Sequence, residues 1–349
     1  MIAQSDKIMY KGGPLEMGKY QEVKNLVRSY FDELEKCAPE ESEAVLKKYM
    51  SENYIWEGVY PFLDQTTAHS VAEVFWKPLK NSLVHMQRRQ DVFMAGTALD
   101  GKTWVMSMGQ FMGLFDQDFL GIRRTRKMHH LQYAEYSCVE NGKITHTAMF
   151  VDLIGFMCEA GINPLPPETG HYFVYPGPRD HNGLMFEDAP EEKAAQSFKI
   201  VDDMLNGLFS INATMSTPRD MLERSWNDDM IWYGPCGIGA SYTIPRYQEQ
   251  HQIPFRTQLT DKTENPLHAY FAEGDFVCFY SSMDVTPTGG WLGMPGGGKS
   301  AHLRGDIDIY YCKDGKISEN WCFIDLPYWL KEQGLDIFER TASICNPQN

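Results

Sequence analysis

Two aspartates, Asp152 and Asp325, stand at the same point of two related stretches of sequence, and an aspartate there can do either of two things. Each closes a run of β-branched and aromatic residues and opens a short helical pattern. As an N-cap, its carboxylate accepts hydrogen bonds from the first free amides of the helix. As a carboxylate at the mouth of a pocket, it is a general base. Retention in both stretches favours the cap, because each copy must start its helix while only one needs chemistry. A second cluster lies in SAHLRGDIDIYYC, where strict alternation sets His302, Arg304, Asp306 and Asp308 on one face and Ala301, Leu303, Ile307 and Ile309 on the other. That stripe reads either as a solvated or interfacial face laced with ion pairs, or as the lining of a polar pocket. In the second case Arg304 holds a substrate oxyanion and His302 shuttles a proton.

Large aromatic residues supply candidate walls for such a pocket: Trp56, Trp232, Tyr233, Trp291 and Trp321. Core packing explains each of them equally well. Trp232-Tyr233-Gly234 is the strongest, since a glycine after an aromatic strand end lets the chain bend back over a cavity. His129 is the counterpart of His302, but its neighbour His130 points the other way, and a two-histidine metal site needs both ligands on one face. No metal constellation results. The stretch GMPGGGKS, residues 293–300, spells a phosphate-binding loop, yet strand-type alternation follows it where that loop requires a helix. It is not read as a nucleotide site. The eight cysteines are scattered without a C-x-x-C pair and read as buried, reduced thiols.

The elements that position these residues come in two sets. KDGKISENWCFIDLPYWLKEQG, residues 313–334, aligns without a gap to ENGKITHTAMFVDLIGFMCEAG, residues 140–161. Each has an Asn/Asp-Gly turn, a strand, an aspartate and a short helix ending in glycine. Upstream, ENYIWEGVYPF corresponds to DDMIWYGPCGI, so Trp56 and Gly58 match Trp232 and Gly234. In both halves helical periodicity comes first and a series of hairpin-connected strands follows. That order implies an α+β domain whose helices pack on one face of a curved, mainly antiparallel sheet, able to close into a cone with a ligand-binding mouth. The expected division is a first domain over 1–162, a Pro/Gly-rich linker over 163–190 and a second domain over 191–349. The linker's Tyr172, Phe173, Tyr175 and Phe186 imply that it lies against a domain surface.

Length agrees with two domains, at about 150 residues each for a chain of 349. A net charge of −15 argues against nucleic acid or an anionic membrane as a partner. MIAQSDKIMY does not resemble a signal peptide and no apolar run reaches membrane-spanning length, so a cytoplasmic protein is expected. The abundance of Phe, Tyr, Trp and Met fits well-filled cores, or a roomy apolar pocket.

F-L-G-I and W-L-G-M, then D-G-K-I-x-E-N-W-x-x-I-D-L-P with a closing glycine, resemble the SnoaL-like polyketide cyclases of the nuclear transport factor 2-like superfamily. The resemblance is strongest from Trp291 to Gly334. It implies two tandem cone-shaped α+β barrels with a deep apolar pocket, no metal, no organic cofactor, and acid/base chemistry on cyclic or polyketide-like substrates. The expected activity is a cofactor-independent lyase, isomerase or hydrolase reaction on a small apolar molecule, carried by Asp325, Arg304 and His302. The alternative is a non-catalytic ligand-binding or protein-interaction module. The fusion would imitate within one chain the side-by-side dimer of single-domain relatives, with a further homodimer left open. The chain departs from the family at one point: the catalytic aspartate expected directly after Trp321 is Cys322 here, and Met149 in the first half. Neither side chain carries protons as a carboxylate does.

Overall fold

The computed structural model describes residues 18–168, 170–210 and 217–346. The N-terminal stretch read above for a leader lies outside them. In the first half, α1 (Gln21–Lys36), α2 (Ser42–Tyr49), α3 (Ala68–Val71) and α4 (Lys77–Ser82) lie against a five-stranded sheet, with a π-helical turn over Ala72–Trp76. The strands are β1 (Met50–Gly58), β2 (Leu83–Thr97), β3 (Thr103–Phe115), β4 (Met128–Glu140) and β5 (Lys143–Val151), and α5 (Leu153–Glu159) ends the half. Helix α1 buries Val27, Tyr30, Phe31 and Leu34, a stripe at helical spacing that seals one side of the core.

The second half repeats this plan. It has α6 (Glu191–Ser210), α7 (Arg219–Ser225), α8 (Thr243–Tyr247), a π-helical turn Gln248–Gln252 and α9 (Ile253–Thr257). Its strands are β6 (Trp226–Tyr233), β7 (Ala240–Tyr242), β8 (Leu259–Glu264), β9 (His268–Glu273), β10 (Phe276–Pro287), β11 (Ala301–Lys313) and β12 (Lys316–Phe323). Helices α10 (Leu326–Glu332) and α11 (Ile337–Cys345) complete it. The sheet orders are β1-β5-β4-β3-β2 and β7-β6-β12-β11-β10-β8, with β9 beside β10. In each, the first long strand pairs parallel with the last and the other ladders are antiparallel. The fold is therefore α+β, two curved mixed sheets each covered by its own helices. No helix among the described residues is long and apolar enough to cross a membrane.

The sheets meet through the faces turned away from their helices. Tyr280 on β10 packs against Trp104, Tyr136 and Phe150 of the first sheet, with ring centroids 6.1, 5.3 and 5.7 Å away. Tyr136 also donates its hydroxyl to the Phe279 carbonyl at 3.0 Å. This back-to-back contact explains why Ile307 and Ile309 are fully buried while their neighbours on β11 face a cavity.

Two equivalent staples join the halves. Asp325 caps α10 with Oδ1, accepting from the Tyr328 amide at 3.1 Å, while Oδ2 accepts from the Tyr60 amide of the first half at 2.8 Å. Asp152 caps α5 with Oδ1, accepting from Gly155 at 2.8 Å, while Oδ2 accepts from the Cys236 amide of the second half at 3.0 Å. The stretch 170–190 lies along both halves: Trp321 donates its indole N–H to the Pro176 carbonyl and Tyr175 its hydroxyl to that of Gly234, while Phe93 on β2 donates to Gly183.

Candidate active site in the second cone

The second sheet and its helices enclose a cavity of about 510 Å³. Its helical wall is built from Tyr247, His251 and Phe255, spaced by four along α8, the π-helical turn and α9. A π-turn holds more residues than an α-turn, so a spacing of four keeps these rings on one face. The opposite wall is the sheet: Phe279 and Met283 on β10, Asp306, Asp308 and Tyr310 on β11, and Cys322 on β12. Trp232 on β6 closes the end, its indole stacked on His251 at 4.0 Å and 19°.

Asp308 is the carboxyl group best placed for proton transfer in this cavity. It is half-buried, keeping part of its surface on the cavity, and protein encloses the rest. Burial pushes its carboxyl up to about 6, against the stabilising hydrogen bonds of Asn320 and Tyr310. The Asn320 amide donates to Oδ1 at 2.9 Å and is itself fixed by the Ile309 carbonyl at 3.2 Å, so the carboxyl is held in one orientation. A group poised near neutrality can both take and return a proton. On the helical wall, burial and the Arg256 charge press His251 down to about 3, leaving a neutral imidazole. Its Nδ1 is buried with no hydrogen-bond partner. An unpartnered buried polar atom costs free energy, which a ligand's hydroxyl or carbonyl-bearing edge would recover.

The charged stripe expected on one face of β11 is split in two. Between the pairs Ser281↔Asp306 and Met283↔Leu303 the β11 strand carries one extra residue, a bulge at Arg304-Gly305 with Gly305 at φ +59°. The bulge reverses the alternation, so Asp306 and Asp308 face the cone whereas His302 and Arg304 face the first half. There they line a smaller cavity of about 250 Å³ at the seam, with Glu57, Asp64 and Asp325. His302 bonds Asp284 at 2.8 Å, and Arg304 pairs with Asp64 across the seam. Asp325 is pushed up to about 7 by burial, but both its oxygens are engaged by backbone amides. The structure thus separates the trio Asp325, His302 and Arg304 from the larger cavity. Asp152, sealed between Gly155 and Cys236, lines neither cavity.

Of the aromatic candidates, Trp232 alone lines the larger cavity. Tyr233 points to the other face of β6 and stacks on Trp321 at 5.4 Å. Trp291 packs edge-on against Trp329 at 4.8 Å. Trp56 lies in the first core against Phe75, and His129 between Phe115 and Phe156, both outside the two cavities. GMPGGGKS runs into β11, a strand, which removes the helix N-terminus a phosphate would need. One cluster with metal-ligand spacing occurs among the described residues, Glu43, His69 and Glu73 on the surface, where Lys47 and Lys77 already pair with the two glutamates.

The first cone holds a glutamate where the second holds Asp308: Glu135 pairs across the sheet with Met149 as Asp308 does with Cys322. There Arg88 occupies the space beside the carboxyl. Arg88 contacts Glu135 at 2.6 Å, its guanidinium lying 3.7 Å from the Phe31 ring and 4.9 Å from that of Tyr133. Burial pushes the Glu135 carboxyl up.

Sequence reasoning reaches Asp308 only as part of a stripe and passes over Tyr247, His251, Phe255, Tyr310 and Asn320. The spacing of four in RYQEQHQIPF carries a signal for the helical wall. The bulge gives none beyond one glycine.

Residues 255–332, from within α9 to the end of α10, match the family model of the SnoaL-like polyketide cyclases. Solved structures similar to this chain include a SnoaL-like protein of Jannaschia sp. CCS1, 17% identical over 45% of this chain and 100% of that one, TM-score 0.34. An NTF2-like protein of Burkholderia thailandensis E264 is 16% identical over 40% and 96%, TM-score 0.30. An LEH-like epoxide hydrolase of Mycobacterium tuberculosis is 14% identical over 46% and 100%, TM-score 0.30. No curated protein matches the chain. Residues 255–332 thus carry the pattern of the SnoaL-like family, across β8 to β12.

Proposed function

We propose that the second cone is a cofactor-independent proton-transfer site of a cytoplasmic protein, a lyase, isomerase or hydrolase for a small, largely apolar cyclic or polyketide-like molecule. Asp308 is the acid/base. The single observation that carries this reading is a half-buried carboxyl pushed up to about 6, facing a ring-walled cavity of about 510 Å³. The family's carboxylate position is Cys322, and Asp308 lies directly across the ladder from it. Directly opposed side chains stand about 5 Å apart at Cβ, so a carboxyl on β11 reaches the same part of the cavity. Phe255, Trp232 and Phe279 supply apolar contact for a ring, and His251 Nδ1 supplies a polar anchor. The first cone, where Arg88 occupies the space beside the carboxyl, has a structural role on this reading.

The test is a thermal-shift screen with cyclic ketones, lactones and aromatic polyketide fragments, on wild type and on Cys322→Phe, which fills the second cavity. Stabilisation of wild type that rises with concentration and is lost in the variant supports the site. Equal stabilisation of both proteins, or none across the library, overturns it. The substitution of Cys322 for the family's aspartate favours a second reading, a binding module without turnover. Ligand binding with no chemical change in the ligand would decide for that reading.

A further inference from the structure

The duplicated architecture builds two equivalent seams, and one pair of matching positions carries different chemistry in each. At the first, Tyr60 of the loop after β1 meets Lys331 of α10, Nζ donating to Oη at 2.6 Å. The aligned positions at the second seam are Cys236, in the loop after β6, and Cys158, in α5. Their sulfurs lie 3.5 Å apart. We propose that Cys158 and Cys236 are a redox modification site, a dithiol that a hydroperoxide converts to a disulfide stapling the two halves together.

Three features of the seam support this. The loop after β6 is already anchored to the first half, because the Cys236 amide donates to Asp152 Oδ2, and Asp152 also caps the helix that carries Cys158. The backbones on both sides are therefore held in register, and the sulfurs need to approach by roughly 1.5 Å to reach bonding distance. No other pair of cysteine sulfurs is in such contact among the described residues. Finally, the two thiols are unequal: Cys158 is half-buried whereas Cys236 is 2% exposed, with the neighbouring thiol and burial pushing its pKa up. The first oxidation accordingly falls on Cys158.

The chemistry closes without a cofactor. The Cys158 thiolate attacks the peroxide, an S–O bond forms as the O–O bond breaks, and the alcohol or water leaves, giving a sulfenic acid. The Cys236 sulfur then attacks that sulfur, the S–S bond forms, the S–O bond breaks, and hydroxide departs as water with the Cys236 proton. Two thiols are oxidised by two electrons and one hydroperoxide is reduced. A dithiol reductant reverses the change by exchange. The staple fixes the loop that leads through β7 into the helix bearing Tyr247 and His251.

The test treats the full chain with hydrogen peroxide, alkylates it and maps it by mass spectrometry without reduction, alongside Cys158→Ser and Cys236→Ser. The expected result is a linked peptide joining residues 158 and 236, two hydrogens lighter than the sum of its parts. It should disappear on dithiothreitol and be absent from both variants. Oxidation should also raise the melting temperature of wild type on the order of 5 °C, because the bond closes a long loop. It should not raise that of Cys158→Ser, whose half-buried site tolerates the change. The proposal is overturned if both thiols remain alkylatable. It is equally overturned if Cys158 proceeds to sulfinic acid with Cys236 free, or if either sulfur pairs with another cysteine.

Discussion

Replacing Asp308 by asparagine removes the charge while keeping the shape and the oxygen that accepts from Asn320. Folding moves this carboxyl from an ordinary 3.8 to about 6. Between those values the folded protein binds more protons than the unfolded chain, so this group's contribution to stability falls as pH rises. The cost is absent below about pH 4 and complete above about pH 6 to 7. Raising the carboxyl this far corresponds to about 3 kcal/mol, an upper bound because cavity water relaxes part of the penalty. Asp308→Asn should therefore match wild type at pH 4 and be more stable by up to about 3 kcal/mol at pH 8. Asp325, pushed up to about 7, titrates in both proteins and cancels in the difference. Urea unfolding followed by tryptophan fluorescence at half-unit steps of pH measures this directly, since Trp232 and Trp321 sit in the second half. Parallel curves for the two proteins across pH 4–8 would refute the assignment of a strained carboxyl to that cavity. A variant less stable at every pH would show that the hydrogen-bonding role outweighs the buried charge.

Arg88→Met leaves Glu135 buried without its partner and should cost about 4 kcal/mol at pH 8, most of it recovered in Arg88→Met/Glu135→Leu; equal losses in both proteins by urea unfolding would mean the pair is not coupled. Gly305→Ala places a Cβ at φ +59° against the Phe150 ring and should cost about 3 kcal/mol in melting experiments, through strain and a forced shift at the seam. A neutral effect would show that the bulge does not hold the two faces of β11 apart. Asp325→Asn leaves one acceptor for two amides and should lose about 1 kcal/mol at pH 5, with ligand affinity of the second cone unchanged. Unchanged stability with lost binding or turnover would return Asp325 to the chemistry.

Much of the fold is legible in the sequence because the two halves repeat. The Asn/Asp-Gly turn, the β-branched strand and the capping aspartate recur at one spacing, and each follows from local chemistry that any copy must satisfy. The site is harder to read. Strict alternation assigns His302, Arg304, Asp306 and Asp308 to one face, and a single left-handed glycine inside a strand undoes it. Asp325 reads as a pocket carboxylate or a cap; its second oxygen reaches the Tyr60 amide, a partner 265 residues away in the chain. Whether the space beside the carboxyl is open or occupied depends on where Arg88 lies among Phe31, Phe111 and Tyr133, a packing outcome with no local pattern.

The most direct test of the central claim is a crystal structure of the protein with a compound from the thermal-shift screen. The expected result is the compound inside the second cone, its ring against Trp232 and Phe255 and a polar atom within hydrogen-bond distance of the Asp308 carboxyl. A compound seated instead at the seam, against His302 and Arg304, would contradict the assignment and move the chemistry to the smaller cavity.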